Sequence, residues 1–316
     1  MSSITKNIVL LIVLALFLCF FFLLYDLPNN WHYAFERRGL KMVAIIIVSC
    51  AVAFASITFQ TLTNNRILTP SIMGFEAVYL LFQTIIVFVY GDKTFTNVNS
   101  LENFIFSILL MLGFALGLFW LLFKKGKNNI YRLLLIGLVL GTLFHTISSF
   151  LQMIIDPNEF LMLQGTLYAT FNDINFSLLW YALAALLFCF LLAVPKIKQL
   201  NVLLLGRENA INLGVDYHRT VRFFLFLTAV LVSVSTALVG PIIFLGILVS
   251  NLTYELFKSY KHQILIPSCC LICLVAILTA QFLVENLFNF NASIGIIINF
   301  VGGIYFMYLL LKAKKI

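Results

Sequence analysis

The sequence predicts an all-α polytopic membrane protein, one transmembrane domain over residues 1–316 with both termini cytoplasmic. Three observations carry the prediction. Apolar side chains make up 62% of the chain, and the mean hydropathy is +1.06, well above that of soluble globular domains. The apolar residues form continuous runs instead of alternating. That fits about ten helical spans of roughly 20 residues and argues against a β-barrel. The charges also divide by side. With the N-terminus inside, every Lys and Arg except Arg37, Arg38, Lys41 and Lys93 falls on the cytoplasmic side, as the positive-inside bias requires. Asp26, Glu36, Asp92, Glu102, Asp156, Glu159, Asp173 and Glu285 fall on the other. The net charge of +8 is therefore an orientation signal, not a footprint for nucleic acid.

Taken in order, the spans are expected at 7–25, 40–61, 71–90, 102–123, 131–155, 174–194, 220–239, 241–257, 264–284 and 294–311. The first begins after Lys6. Its apolar run, Ile8 to Leu24, is longer than a signal-peptide core and lacks a small-residue exit, so it reads as a retained helix. The second opens on the outer side with Arg37, Arg38 and Lys41. These cations either snorkel to headgroups or receive an acidic face of an external partner. The same span carries Ser49, Ser56, Gln60 and Thr63.

In the third span Glu76 lies close to the helix start, near Gly74. It caps backbone groups, pairs with Arg66, sits in a water-filled vestibule or serves as the coupling acid of a secondary transporter. A structural role is the first reading. The fifth span carries Thr142, His145, Ser149 and Gln152, three or four residues apart on one face and flanked by Ser148. Polar groups in hydrocarbon need partners or water. The stripe thus faces another helix or an aqueous path, and the path is the reading adopted. The last span places Gly295 and Gly302 on one face, which suits close helix or subunit packing.

Between the sixth and seventh spans runs the longest polar interval of the cytoplasmic side, about 203–219. Arg207 to Leu213 reads as a short helix stopped by Gly214, since glycine accepts the positive φ of a helix stop. The chain re-enters the membrane through Arg219 and Arg222. This interval is either an ordinary loop or a docking element for a soluble partner that moves the membrane part.

Other classes find no support. No polar stretch is long enough to bury a soluble core, and no glycine-rich phosphate loop appears. If ATP drives this protein, another chain hydrolyses it. No Ser-His-Asp, HExxH or paired-carboxylate arrangement marks an enzyme. Cys269, Cys270 and Cys273 have no acid or histidine beside them, and all six cysteines read as small apolar residues, neither metal site nor disulfide framework. Glycosylation sequons at Asn175, Asn251 and Asn291 are expected by chance.

Three segments together resemble the permease family of bacterial ABC importers for iron-siderophores, haem and cobalamin, the type II importers. The first runs from Arg38-Gly-Leu-Lys41 through Gln60-Thr-Leu-Thr-Asn-Asn65 to Pro70-Ser-Ile-Met-Gly74. The second is Leu205-Gly-Arg-Glu-Asn-Ala-Ile-Asn-Leu-Gly-Val215. The third is Gly240-Pro-Ile-Ile-Phe-Leu-Gly246.

The resemblance implies ten helices per subunit, a translocation path between two permease subunits, and two ATPase subunits that bind ATP and Mg while this chain binds no cofactor. It makes Gly206, Glu208, Ala210, Leu213 and Gly214 the ATPase-coupling element. It makes Arg37, Arg38 and Lys41 the landing point for an extracytoplasmic substrate-binding protein. Gln60, Thr142, His145, Ser149 and Gln152 would line the path, and Pro70, Gly74, Gly240, Pro241 and Gly246 would be structural.

Where the family continues with Pro, His and Arg after the third motif, this chain has Ser250, Asn251 and Tyr254. That departure is similar to the second permease of heterodimeric ferric-siderophore systems. The expectation is a multi-pass protein of the bacterial cytoplasmic membrane that passes a ferric-siderophore, or alternatively haem or cobalamin. The rivals are a proton-coupled transporter working through Glu76 or His145 and a non-transporting structural subunit.

Overall fold

A computed structural model describes residues 3–25, 31–91, 99–123, 130–172 and 174–313. The predicted side-sorting charges Asp26, Asp92, Lys93, Lys124, Lys125, Lys127, Asp173, Lys314 and Lys315 lie outside the described residues. Every regular element among the described residues is helical. The chain runs through α1 (Ser3–Leu24), α2 (Trp31–Thr63), a 3₁₀ turn (Pro70–Met73), α3 (Phe75–Tyr90), α4 (Ser100–Phe123) and α5 (Ile130–Ile154). It continues through α6 (Pro157–Leu167), α7 (Phe176–Ala193), α8 (Ile197–Leu203) and α9 (Arg207–Asn212). It ends with α10 (Tyr217–Val239), α11 (Leu245–Leu256), α12 (His262–Asn286) and α13 (Ile294–Ala313).

Among the described residues seven helices are long and apolar enough to cross a membrane, and two apolar stretches, Phe75–Tyr90 and Ile294–Leu309, are shorter. The expected eighth span, 241–257, is corrected to the 12-residue α11. Gly240 leaves the helix with φ +95°, Pro241 follows it, and the chain becomes helical again only at Leu245. Two helices were not expected. One is α6, which starts where Asp156 accepts from the Asn158 amide and Pro157 fills the first turn. The other is α8, whose Leu200 and Leu203 are buried.

The most enclosed helices are α2 and α10, each with 72% of its apolar window buried. They pack on each other, and α2 also meets α1, α7, α11 and α12. Helix α1 is the opposite case, with 17% of its window buried. With no aqueous surface to bury, such helices associate through close packing and interhelical hydrogen bonds. Some of the close contacts here are backbone to backbone. A Cβ on Gly137 would stand 2.9 Å from the Met73 carbonyl oxygen, and one on Gly141 would stand 3.0 Å from Gly74 Cα. The 3₁₀ turn is thereby seated directly on α5.

Candidate functional site

The expected coupling element forms as a compact arm. Turn hydrogen bonds from Leu204 to Leu200, Leu205 to Val202 and Gly206 to Leu203 join α8 to α9. At the far end of α9 the Gly214 amide donates to the Ile211 carbonyl at 2.9 Å and the Val215 amide to the Ala210 carbonyl at 3.0 Å. This pair of bonds is the Schellman stop. Gly214 sits at φ +81° with nothing within 4 Å of a built Cβ, so backbone conformation and not space calls for glycine. Asp216 then accepts from the Arg219 amide and starts α10. Ala210 is fully buried, whereas Leu205, Ile211 and Leu213 are 56%, 48% and 62% exposed. Glu208 is also exposed. The arm thus presents an apolar patch beside a carboxylate.

At the opposite end of the helices lies the basic cluster. Lys41 Nζ makes an ion pair with Glu285 Oε1 at 2.6 Å and donates to Asn172 Oδ1 at 2.9 Å. Gln281 Nε2 donates to the same two acceptors, Glu285 Oε1 at 2.7 Å and Asn172 Oδ1 at 2.9 Å. Arg38 donates to the carbonyl oxygens of Phe22, Leu23 and Tyr25, at the last turn of α1. These carbonyls have no partner within their own helix, so Arg38 acts as a cap. Arg37 is exposed, its guanidinium 5.1 Å from the Tyr33 ring centre and 5.8 Å from that of Phe176.

The polar stripe of α5 divides. Thr142 and His145 are exposed and Ser149 is half-buried, with Ser149 Oγ 3.5 Å from His145 Nδ1. Gln152 turns inward and donates to Thr84 at 3.2 Å and Ser148 at 3.0 Å. Gln60 does not join them. It is buried and donates to the Arg66 carbonyl at 2.7 Å and Ser250 Oγ at 2.8 Å. Asn251 Nδ2 reaches the same Arg66 carbonyl at 3.0 Å. Of the residues that depart from the resembled motif, Asn251 therefore holds the loop after α2 and Ser250 holds Gln60.

Of the readings of Glu76, pairing with Arg66 is corrected. No ion pair joins the two, and the Arg66 guanidinium lies 4.6 Å from the Tyr254 ring centre. Glu76 is buried, and its Oε2 has no hydrogen-bond partner. It adjoins a cavity of about 20 Å³ lined also by Ser56, Ser71, Ser235 and Thr236, room for one water.

A model of the FecCD transport family matches residues 8–312. The chain belongs to the FecCD transport family. This permease is 50% identical over 309 residues to the petrobactin import system permease protein YclO of Bacillus subtilis (strain 168), covering 98% of each chain. It is 34% identical over 282 residues to the petrobactin import system permease protein FatC of Bacillus anthracis, covering 89% of this chain and 79% of that one. Among solved structures it superposes with TM-score 0.85 and 23% identity on a metal-chelate type ABC transporter chain in an inward-facing conformation, covering 98% and 99% of the two chains. That match shows the shared fold.

The structural motif residues of this FecCD permease meet backbone and side chains at contact distance. A Cβ on Gly240 would stand 3.1 Å from Ala169 Cα, and one on Gly246 would run into Ser56 Oγ. Pro70 and Pro241 are buried. Sequence reasoning missed His262, which is fully buried, and the Gly137/Gly141 pair on α5. The glycines were legible as a small-xxx-small repeat. The histidine carried no local signal.

Proposed function

We propose that this permease forms one half of the translocation path of an ATP-driven importer whose cargo is a ferric siderophore of the petrobactin type. The observation that carries this is 50% identity, over 98% of both chains, to a petrobactin import permease. The second half of the path is a different permease chain, a reading supported by Ser250, Asn251 and Tyr254 standing where the resembled motif has other residues. Two ATPase subunits seat on the cytoplasmic arm, where Leu205, Ile211 and Leu213 offer an exposed apolar face beside Glu208.

An extracytoplasmic binding protein delivers the cargo at the Arg37 end. Arg37 is the cation best placed to meet an acidic partner, because Lys41 and Arg38 are engaged within the chain. The site is the bacterial cytoplasmic membrane, with about ten crossings and both termini inside. ATP-driven motion of the arm shifts the bundle between two packings, and the cargo passes along the Thr142/His145 face of α5 without chemistry in this chain.

The test is a mild-detergent pull-down of the tagged chain from its native membrane, with the bound chains identified by mass spectrometry. An ATPase with a second, different permease is the expected result. Recovery of this chain alone, under conditions that keep a known ABC importer intact, would overturn the proposal and leave the proton-coupled rival. Uptake competition by ferric petrobactin against haem and cobalamin then assigns the cargo.

A further inference from the structure

The arm meets the membrane helices through a buried histidine that no part of the proposal above employs. His262 is the first residue of α12 and is 0% exposed. Its backbone amide donates to Asn201 Oδ1 of α8 at 2.8 Å. Its ring Nδ1 lies 2.7 Å from the same oxygen. That oxygen already accepts the backbone hydrogen, so it is the acceptor of both contacts and Nδ1 carries a hydrogen. On the other side of the ring, Nε2 lies 2.7 Å from Thr61 Oγ1 in the last turn of α2. Thr61 is 1% exposed and also reaches the Ile57 carbonyl at 2.9 Å. One side chain thus bridges three elements. Thr61 and His262 are both buried, so breaking the bridge takes hydrogen-bond partners from buried polar groups.

Two further features give the bridge a direction. Pro267 lies inside α12. It has no N–H for the Gln263 carbonyl, so the first turn of α12 is held less firmly to the rest of that helix and more by its external ties. Next to Thr61, Gln60 grips the Arg66 carbonyl. The chain then runs directly from Arg66 into the 3₁₀ turn seated on α5.

We propose that His262 is the joint that holds the arm to α2 and α12, a positioning residue for coupling ATP hydrolysis to transport. The assignment rests on the importer reading above. The joint fixes where the arm stands relative to the membrane core, so that displacement of the arm is delivered to α2 and not lost in slack between helices.

The test uses the intact complex with its co-purified ATPase in lipid nanodiscs or proteoliposomes, measuring ATP hydrolysis and cargo transported per ATP. His262→Ala should leave assembly and basal hydrolysis in place while transport per ATP falls by roughly two- to thirtyfold. Asn201→Ala should do the same, and the loss in the double variant should fall well short of the product of the two single losses, because both variants remove the Nδ1–Oδ1 contact. If His262→Ala fails to assemble, Thr61→Val, which removes only the hydroxyl, carries the same expectation.

Multiplying losses in the double variant would overturn the joint. So would an unchanged ratio of transport to hydrolysis accompanied only by a lower melting temperature, which is the mark of a merely structural contact. A wild-type complex without ATP-driven uptake would instead overturn the importer reading, and it would be seen before any variant is made.

Discussion

Lys41 illustrates how one residue is assigned by its partners and not by its place in a motif. Its ammonium pairs with Glu285 at 2.6 Å with side chains only 15% and 14% exposed, and Asn172 and Gln281 complete the cluster. Removing one member leaves a poorly hydrated charge without its counterion. Lys41→Met should therefore lower stability by about 3 kcal/mol, read from thermal unfolding in detergent. The exchange Lys41→Glu with Glu285→Lys should recover much of that loss and restore uptake. A residue that served mainly to dock a binding protein would not be rescued by a change on its own chain.

Glu76 gives a contrasting case. Its Oε2 is buried without a partner, and the cavity beside it offers hydroxyls but no cation among its lining residues. Glu76→Gln should leave the melting temperature unchanged or raised, and uptake intact, because the amide fills the same space without a charge to desolvate. Loss of uptake in that variant would mark Glu76 as a proton-coupling acid.

Among the elements, the arm over 203–219 was largely legible and its setting was not. The polar interval, the short helix and the Gly214 stop follow from local backbone chemistry, and α9 with its Schellman bonds matches them. Helix α8 went unread because seven residues give the helical period little room to repeat. Helix α6 had a usable signal in Asp156-Pro157, an N-cap followed by a first-turn proline. The α5 stripe was read as one face, yet Gln152 turns back to Thr84 and Ser148. Helical spacing fixes an azimuth but not which neighbour stands there.

The same limit hid the seat of the 3₁₀ turn on α5, a contact made by glycines from separate segments. Gly141→Leu should drive that turn off the helix, since even a Cβ would meet Gly74 Cα at 3.0 Å. A stability loss of roughly 1–3 kcal/mol, seen as a lower melting temperature, is expected together with impaired uptake.

For the molecule as a whole, membrane class followed from composition, because that is a property of runs and not of contacts. The span count did not follow as simply, since α11 is 12 residues long and, among the described residues, seven helices meet the length and hydropathy required of a crossing. The described chain leaves Thr142 and His145 exposed on α5 among large apolar neighbours such as Leu138, Leu143 and Phe150. The proposed path runs along this face. Thr142→Trp should block uptake while assembly with the ATPase and basal hydrolysis persist, as measured in reconstituted complexes. Unimpaired uptake would remove Thr142 from the path.

Ala169 is held from two sides at once. The Gly295 amide donates to its carbonyl at 3.1 Å, and the neighbouring Thr170 amide donates to the Val239 carbonyl at 2.8 Å. The ribosome releases Ala169 well before it releases Gly295, so this seam stays half-stitched while α10 to α13 are being made. Only arrival of the final helix closes it. A chain cut short before α13 therefore leaves the Ala169 carbonyl without the Gly295 amide that accompanies it in the full fold.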